Sequence, residues 1–212
     1  MKFAVLILFA GAAFGQQYER EQWQIGADIG YGIYRDGTIF SGTETIQAGI
    51  RNRFAAGVTV GDEFSEYVSA ELRYLYQDGH PFLQGAGVKS DIQGQTHSAT
   101  YGLLFHFQKR ERPLRPYVEA AAGAKGYIIA GPAPFPQPIP QVASLTTNDV
   151  WKFVFAAGGG VEYRLMRHML LRGEFLDYMT TFPRQQIVPA ANNTARGVFQ
   201  QFTPMFGASY TF

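Results

Sequence analysis

Ten single charges, set at alternate positions in otherwise apolar and glycine-rich segments, are the residues best suited to do chemistry in this sequence. They are five cations and five anions: Arg53, Arg73, Lys125, Lys152, Arg172, Asp28, Glu71, Glu119, Glu162 and Glu174. Paired carboxylates act as general acid and base only within reach of a bound substrate, and the pattern indicates no substrate-sized cleft. We therefore expect a structural network of mutually neutralising charges, because buried charge is tolerated when it is paired and hydrogen-bonded. The alternative is that Glu71, Arg73, Lys125 and Glu174 line a gated, narrow pore.

Histidine and glycine motifs provide no second site. His80 and His168 stand alone in predicted loops and turns, and no pair of histidines has the spacing of metal ligands. The glycine run at residues 158–160 is not followed by the lysine and helix of a phosphate-binding loop. The sequence has no cysteine, which excludes a disulfide framework and a thiol nucleophile. We expect no metal, no cofactor and no catalytic residue.

Composition limits the elements that must position these charges. The chain has 212 residues, of which only 17% are charged, against roughly 25% in an average soluble domain. It is rich in glycine (24 residues) and in aromatic residues (15%). A mean hydropathy of −0.11 rules out a polytopic helical membrane protein, since each helical span needs about 20 consecutive apolar residues. The formal charge of +1, without basic clusters, argues against a nucleic-acid partner.

The N-terminal residues have the pattern of a cleavable secretory signal peptide. A single lysine precedes an apolar run at residues 3–14, which is too short to span a bilayer. Two small residues, Ala13 and Gly15, come just before the expected cut. We therefore predict a signal peptide at residues 1–15 and one exported domain at residues 16–212.

Most of the exported chain alternates between two kinds of side chain, which is the pattern of β-strands with two different faces. The C-terminal segment is the clearest case, with one largely aromatic face: Phe202, Pro204, Phe206, Ala208, Tyr210 and Phe212. Seven further alternating segments begin near Trp23, Asn52, Val68, Ser98, Val118, Trp151 and Leu171. The sequence thus predicts an all-β domain of eight strands.

The polar faces of these strands contain few long side chains and much glycine and alanine. In a soluble β-protein the polar face meets water and the apolar face is buried. A face of small residues with few, balanced charges instead fits the interior of a narrow closed barrel, whose aliphatic and aromatic face then meets lipid. Tryptophan and tyrosine at strand ends fit the membrane interfaces. A soluble eight-stranded barrel with the two faces inverted is the alternative.

Connection lengths support the membrane barrel. The predicted connections alternate between short (62–65, 109–114 and 165–168) and long (35–51, 78–94, 131–149 and 183–197). Outer-membrane barrels have short periplasmic turns and long external loops. An even number of strands would also place both termini of the barrel on the periplasmic side.

The signal peptide, the eight alternating segments and the terminal sequence Phe206–Phe212 resemble the small eight-stranded outer-membrane barrels. This group includes outer-membrane protein X and the transmembrane domain of outer-membrane protein A. The resemblance implies an antiparallel, up-and-down transmembrane β-barrel in the bacterial outer membrane, in contact with outer-membrane lipids and lipopolysaccharide. It also implies that the barrel-assembly machinery recognises the aromatic C-terminal strand, with Tyr210 and Phe212 as the recognised positions.

The resemblance raises one enzymatic alternative, a lipid A-modifying enzyme. Outer-membrane lipid A deacylases use a histidine and a serine two positions apart, on the same face of a strand. Here His97 and Ser98 are adjacent, so a strand directs them to opposite faces. We therefore expect no enzymatic activity and interpret His97 as a polar residue near the membrane interface.

The third long connection contains alternating prolines, at positions 132, 134, 136, 138 and 140. Because proline cannot donate to a strand ladder, we predict an extended, polyproline-like and exposed segment. Such a segment acts either as a stiff loop cap or as a recognition surface, with Phe135 and Ile139 as apolar contacts.

These observations predict a monomeric outer-membrane barrel with a side-chain-filled lumen and a structural or surface-interaction role in the cell envelope. A narrow channel or small-molecule conduit is the second candidate function, and a lipid A-modifying enzyme is the third. No residue pattern identifies a surface ligand.

Overall fold

A computed structural model of the chain describes residues 23–41, 44–85, 87–137, 140–190 and 198–212. The predicted signal peptide at residues 1–15 lies outside these ranges. The described residues form fourteen strands, in chain order β1 (Trp23–Tyr34), β2 (Gly37–Ser41), β3 (Glu44–Ile50), β4 (Arg53–Glu63), β5 (Val68–Asp78), β6 (Pro81–Gly85), β7 (Val88–Asp91), β8 (Gly94–His106), β9 (Leu114–Ile129), β10 (Ala143–Leu145), β11 (Val150–Met166), β12 (Met169–Thr181), β13 (Ile187–Pro189) and β14 (Val198–Thr211). Within the described ranges, no helix is long and apolar enough to cross a membrane.

Eight of these strands form a closed antiparallel barrel in the order β1-β14-β12-β11-β9-β8-β5-β4. β1 pairs with both β14 and β4, so the two ends of the sheet meet and the barrel has no free edge. Closure is required in a membrane because lipid offers no hydrogen-bond partner to an unpaired strand. The prediction of an all-β, eight-stranded, up-and-down barrel is confirmed.

The alternation of side chains along each strand separates the outside of the barrel from the lumen. In β1, for example, Trp23, Ile25 and Ile29 are exposed, whereas Gln24 and Asp28 are buried. Each of the other seven barrel strands likewise exposes large apolar side chains. The aliphatic and aromatic face therefore lies on the outside, and the alternative of a soluble barrel with inverted faces is wrong.

Connections of different length lie at the two ends of the barrel. Short connections (64–67, 107–113 and 167–168) lie at one end, and long connections (35–52, 79–93, 130–149 and 182–197) lie at the other. We assign the end with the long connections to the extracellular side, as in other outer-membrane barrels.

The long connections contain the six strands that do not belong to the barrel. β2, β3, β6 and β7 form a four-stranded sheet, and β10 pairs with β13 in a two-stranded sheet. These two sheets, called the cap below, were not predicted from the sequence. Their apolar side chains share one core with residues from the barrel strands and connections: Tyr34, Ile39, Ile46, Ala48, Ile50, Leu83, Ile92, Tyr127, Val142, Ala143, Leu145, Phe182, Ile187 and Phe199.

The proline-rich segment is anchored to the cap by one glutamine. Gln137 Nε2 donates to the Leu145 carbonyl at 2.9 Å, and the Leu145 amide donates to Gln137 Oε1 at 3.1 Å. Phe135, two residues earlier, is 98% exposed. Ile139, the other predicted apolar contact, lies outside the described residues.

Candidate functional site

The middle of the lumen contains a network of buried charges centred on Arg73 of β5. Its guanidinium donates to Glu71 Oε1 (2.7 Å from Nη2 and 3.0 Å from Nε), to Glu174 Oε2 (2.8 Å) and to Glu119 Oε2 (3.4 Å). A further bond joins Arg73 Nη1 to Glu174 Oε1. Tyr117 donates its hydroxyl to Glu174 Oε2 at 2.7 Å. One guanidinium thus binds three carboxylates, and all five side chains are buried.

Arg172 of β12 is the second centre of this network. Its Nη2 donates to Glu162 Oε1 at 3.0 Å, and its Nη1 donates to Glu71. β5 and β12 are four steps apart around the ring of eight strands, so their contacts cross the full width of the lumen. Two ion pairs cross the lumen, Glu71 with Arg172 and Arg73 with Glu174. On β5 the carboxylate precedes the cation, and on β12 the cation precedes the carboxylate. Opposite walls of the barrel are therefore tied together.

Arg115 extends the network toward the periplasmic end, although the sequence analysis did not select it. It donates to Glu63 Oε1 at 2.6 Å, and its Nη1 lies 3.6 Å from Glu162 Oε2. Glu63 also pairs with Arg110 Nε at 2.6 Å. The strand register places Arg115, Glu162 and Arg172 side by side on β9, β11 and β12. Cations and anions therefore alternate along one row of the wall.

Asp28 of β1 is buried at the level of Arg172. Its ladder neighbours are glycines, Gly207 on β14 and Gly57 on β4. Asp28 Oδ1 occupies the space that a side chain on Gly207 would require. Its other oxygen, Oδ2, has no hydrogen-bond partner among the described residues. Glycine on the polar face thus makes room for a carboxylate in a narrow lumen.

The charges in the lumen are not balanced as the sequence predicted. Of the ten predicted members, eight are buried in the lumen, and Arg115 joins them. The buried charges of the described residues comprise four cations and five carboxylates: Arg73, Arg115, Lys125, Arg172, Asp28, Glu71, Glu119, Glu162 and Glu174.

Lys125 of β9 is buried apart from this network, nearer the cap. Its Nζ donates to the side-chain oxygen of Gln201. It also lies 4.9 Å from the ring centre of Tyr34, 5.4 Å from that of Tyr127 and 5.8 Å from that of Tyr178. Within the described part of the chain it forms no ion pair, so the faces of these three rings and one amide are its stabilising contacts.

Arg53 and Lys152, both predicted members of the network, lie outside it. Each has the inward register but stands at the extracellular end of its strand and is only partly buried. Arg53 is 41% exposed and pairs with Asp78 at 3.0 Å. Lys152 is the ladder neighbour of Lys125 rather than of a carboxylate. The register gave their face correctly, but the buried ion network does not extend to this end of the barrel.

Ser69, His106 and Glu162 lie in the order of a catalytic triad near the periplasmic end of the lumen. Ser69 Oγ is 3.0 Å from His106 Nε2, and His106 Nδ1 is 3.8 Å from Glu162 Oε2. The second distance is too long for a hydrogen bond, and the three residues are 1%, 5% and 2% exposed. A nucleophile must be able to reach a reacting atom of its substrate. The three side chains therefore do not form the continuous hydrogen-bonded chain of a triad, and we interpret them as polar packing.

The adjacent pair His97 and Ser98 is divided between the two faces of β8. Ser98 is buried in the lumen, whereas His97 lies on the outer face with its Nδ1 2.6 Å from the Tyr74 hydroxyl. The two side chains are not brought together as a deacylase would require.

An aromatic layer fills the lumen between the charge network and the cap. Tyr34 stacks on Phe199 at 5.3 Å between ring centres, and Phe182 packs edge-on against Phe199 at 5.6 Å. Tyr127 lies in the same apolar core, with its hydroxyl 2.7 Å from Thr180 Oγ1. The lumen is thus filled by ion pairs, aromatic rings and the apolar core of the cap.

The C-terminal strand contributes an aromatic patch on the outside, at the periplasmic end. Tyr210 stacks on His168 at 5.6 Å and on Phe212 at 6.5 Å between ring centres. Phe212 exchanges backbone hydrogen bonds with Trp23, at 3.0 and 3.2 Å. Tyr210 and Phe212 are both exposed, as their predicted outward register requires.

Several lumen residues were missed by the sequence analysis for identifiable reasons. Arg115 and Tyr117 precede Glu119 at alternate positions of β9, so extending the alternation toward the N-terminus of that strand would have found them. The tyrosines around Lys125 had the same signal, since Tyr127 stands two positions after Lys125 and Tyr178 four positions after Glu174. They were missed because aromatic residues were assigned to the lipid-facing surface.

Comparison with known proteins agrees with this architecture. The family model described as "Outer membrane protein beta-barrel domain" matches residues 2–212. No curated protein matches the chain in sequence. Among solved structures, the chain is similar to Neisserial surface protein A, with 11% identity and a TM-score of 0.55 over 90% of this chain and 97% of that one.

Two further solved structures have the same architecture. The outer membrane protein OprG from Pseudomonas aeruginosa is 13% identical, with a TM-score of 0.53 over 91% of this chain and 97% of that one. The outer membrane protein AlkL, solved in DMPC lipid bilayers, is 17% identical, with a TM-score of 0.53 over 93% of this chain and 94% of that one. At these identities the similarity shows the fold alone.

Proposed function

Since the chain belongs to the outer membrane protein β-barrel family and is located in the bacterial outer membrane, we propose that it is a non-enzymatic envelope protein. Its barrel anchors a folded cap at the cell surface, where the cap has a structural or surface-interaction role. The observation that supports this proposal is the filled lumen.

A filled lumen favours anchoring over transport. An eight-stranded barrel encloses just enough space for its own side chains. Here Arg73 and Arg172 join opposite walls, and Tyr34 and Phe199 stack above them. A continuous water path would require these buried ion pairs to separate, so the closed arrangement favours a lumen without a water path.

The folded cap favours a role at the surface. Many of its apolar residues are buried in one core, so the described parts of the long connections present a preformed surface. A preformed surface loses less conformational entropy when it binds a partner. Phe135, fully exposed beside the Gln137 anchor, is the apolar group that this surface offers most openly.

The aromatic C-terminal strand supports a second proposal, that the barrel-assembly machinery recognises Tyr210 and Phe212 during insertion. Both rings are exposed on the outside of the barrel and stack on each other. An extended segment with exposed side chains at alternate positions suits recognition by strand pairing at a sheet edge.

Conductance and lipid analysis together test the main proposal. Refolded protein, identified by different electrophoretic migration before and after boiling, is added to planar bilayers, where we expect no discrete conductance. In cells that overproduce the protein, we expect the mass of lipid A to be unchanged. We expect a deletion strain to be more sensitive to detergents and antibiotics. Unitary currents would identify a channel instead, and a mass change in lipid A would identify an enzyme.

A further inference from the structure

A pocket of about 570 Å³ opens at the extracellular rim of the barrel, where the barrel wall meets the cap. The extracellular ends of β1, β4 and β5 line it with Tyr31, Phe54 and Asp78, and β7 of the cap lines it with Lys89 and Asp91. The volume lies within the range of small-molecule sites, which is about 300–1,000 Å³.

Three cations line this pocket: Arg51, Arg53 and Lys89. The Arg51 guanidinium lies 3.9 Å from the centre of the Phe82 ring, which restrains its plane. Its Nη2 is buried and has no hydrogen-bond partner among the described residues. Lys89 is exposed and, in the described ranges, makes no ion pair. Lys89 is therefore the cation whose donors are open to a ligand, whereas Arg51 adds its positive charge from a position fixed against Phe82.

Two carboxylates also line the pocket: Asp78 pairs with Arg53, and both carboxylates lie near His80, which is not itself a lining residue. Asp78 lies 3.0 Å from Arg53 and 3.4 Å from His80 Nε2, and Asp91 lies 3.8 Å from His80 Nδ1. With three cations and two carboxylates, the lining has a formal net charge of +1. The carboxylates position Arg53 and His80 without cancelling the positive charge.

The lower part of the pocket is aromatic and continuous with the surface that meets lipid. Tyr31 and Phe54 are 47% and 51% exposed on that surface, and the Tyr31 hydroxyl donates to the Asn52 carbonyl at 2.8 Å. A molecule whose apolar chains lie in the outer leaflet along these rings would place its head group between the cations. Arginine and lysine are the side chains that bind phosphate best, through charge-assisted hydrogen bonds.

We propose that this pocket binds the phosphorylated head group of an outer-leaflet lipid, with Arg53 and Lys89 as the phosphate-binding residues and Arg51 as a supporting positive charge. The proposal rests on the location of the barrel in the outer membrane and is independent of the proposed surface role.

Native mass spectrometry of the folded protein in detergent tests this site. The protein is titrated with bis-phosphorylated lipid A and with dephosphorylated lipid A that has the same acyl chains. We expect one molecule of the phosphorylated lipid to bind, and the dephosphorylated lipid to bind at least about tenfold more weakly, which corresponds to about 1.4 kcal/mol. Lys89→Glu and Arg53→Gln should each weaken binding of the phosphorylated lipid by a similar factor.

Arg184→Glu is the matched control. It makes the same charge reversal as Lys89→Glu at an exposed residue of an extracellular connection outside the pocket, and we expect it to bind like the wild type. Migration before and after boiling verifies that each variant is folded.

Three results would overturn the proposal. Equal binding of the two lipids would show that phosphate is not recognised, and an equal loss in Arg184→Glu would show diffuse attraction to surface charge. Inorganic phosphate that displaces the lipid at equal concentration would show a site for the free anion instead of a lipid.

Discussion

Replacement of Arg73 by methionine measures how strongly the charge network holds the barrel together. Methionine keeps an unbranched, though shorter, side chain and removes all five hydrogen bonds that the guanidinium makes to carboxylates. Glu71 retains its contact with Arg172, and Glu174 retains its bond from Tyr117. Glu119 loses its ion pair with Arg73 and stays buried. Because removal of one partner leaves uncompensated buried charge, we expect the free energy of unfolding to fall by about 3–5 kcal/mol.

Urea unfolding in lipid vesicles, followed by tryptophan fluorescence and by migration before boiling, measures this change. Arg53→Met is the matched control, because Arg53 forms its ion pair with Asp78 at the partly exposed rim. Exposed pairs contribute little, so we expect the control to lose less than about 1 kcal/mol. The account of the lumen would be refuted if Arg73→Met lost no more free energy of unfolding than the control Arg53→Met.

Three further predictions test other parts of the molecule. Lys125→Met should leave the urea midpoint unchanged or raise it, since it replaces a buried cation that has no carboxylate partner among the described residues with an apolar side chain; a loss of stability as large as that of Arg73→Met would contradict this. Phe212→Asp should lower the yield of folded protein in the outer membrane, because it puts a charge into the exposed aromatic patch of the last strand; normal yield on heat-modifiable gels would remove the proposed recognition of this strand. Ile46→Asn should allow an external protease to cleave the cap while the barrel stays intact, because Ile46 is completely buried in the cap core; the control Arg184→Asn, at an exposed residue, should resist the protease like the wild type, and equal resistance of both variants would show that the cap does not depend on this core.

The barrel was predictable because its signal is local. Alternation in segments such as Phe202–Phe212 fixes both the strand and the face that each side chain occupies, and one face is so apolar that a shift of register would place it in the lumen. The cap carried the same signal in a shorter form. Ile46, Ala48 and Ile50 alternate within β3, but a strand of seven residues inside a long connection was interpreted as part of a loop.

The lumen was predictable in composition but not in pairing. Alternation assigned Glu71, Arg73, Arg172 and Glu174 to the inside, yet it gave no information on which strands lie opposite each other. The pairs across the lumen depend on ring closure, which places β5 opposite β12. The position of Arg53 depends on height along the barrel axis, a quantity that alternation does not report.

Quenching of the two tryptophans tests the outward orientation of the apolar face most directly. Trp23 and Trp151 are the only tryptophans in the chain, and they lie on the outside of the barrel, near opposite ends, at 50% and 61% exposure. In vesicles whose lipids carry bromine on the upper part of the acyl chains, we predict that both tryptophans fluoresce weakly. Aqueous iodide should have little effect on their fluorescence. The variants Trp23→Phe and Trp151→Phe separate the two signals. Strong quenching by iodide together with no effect of the brominated lipids would contradict the outward orientation, and with it the membrane barrel.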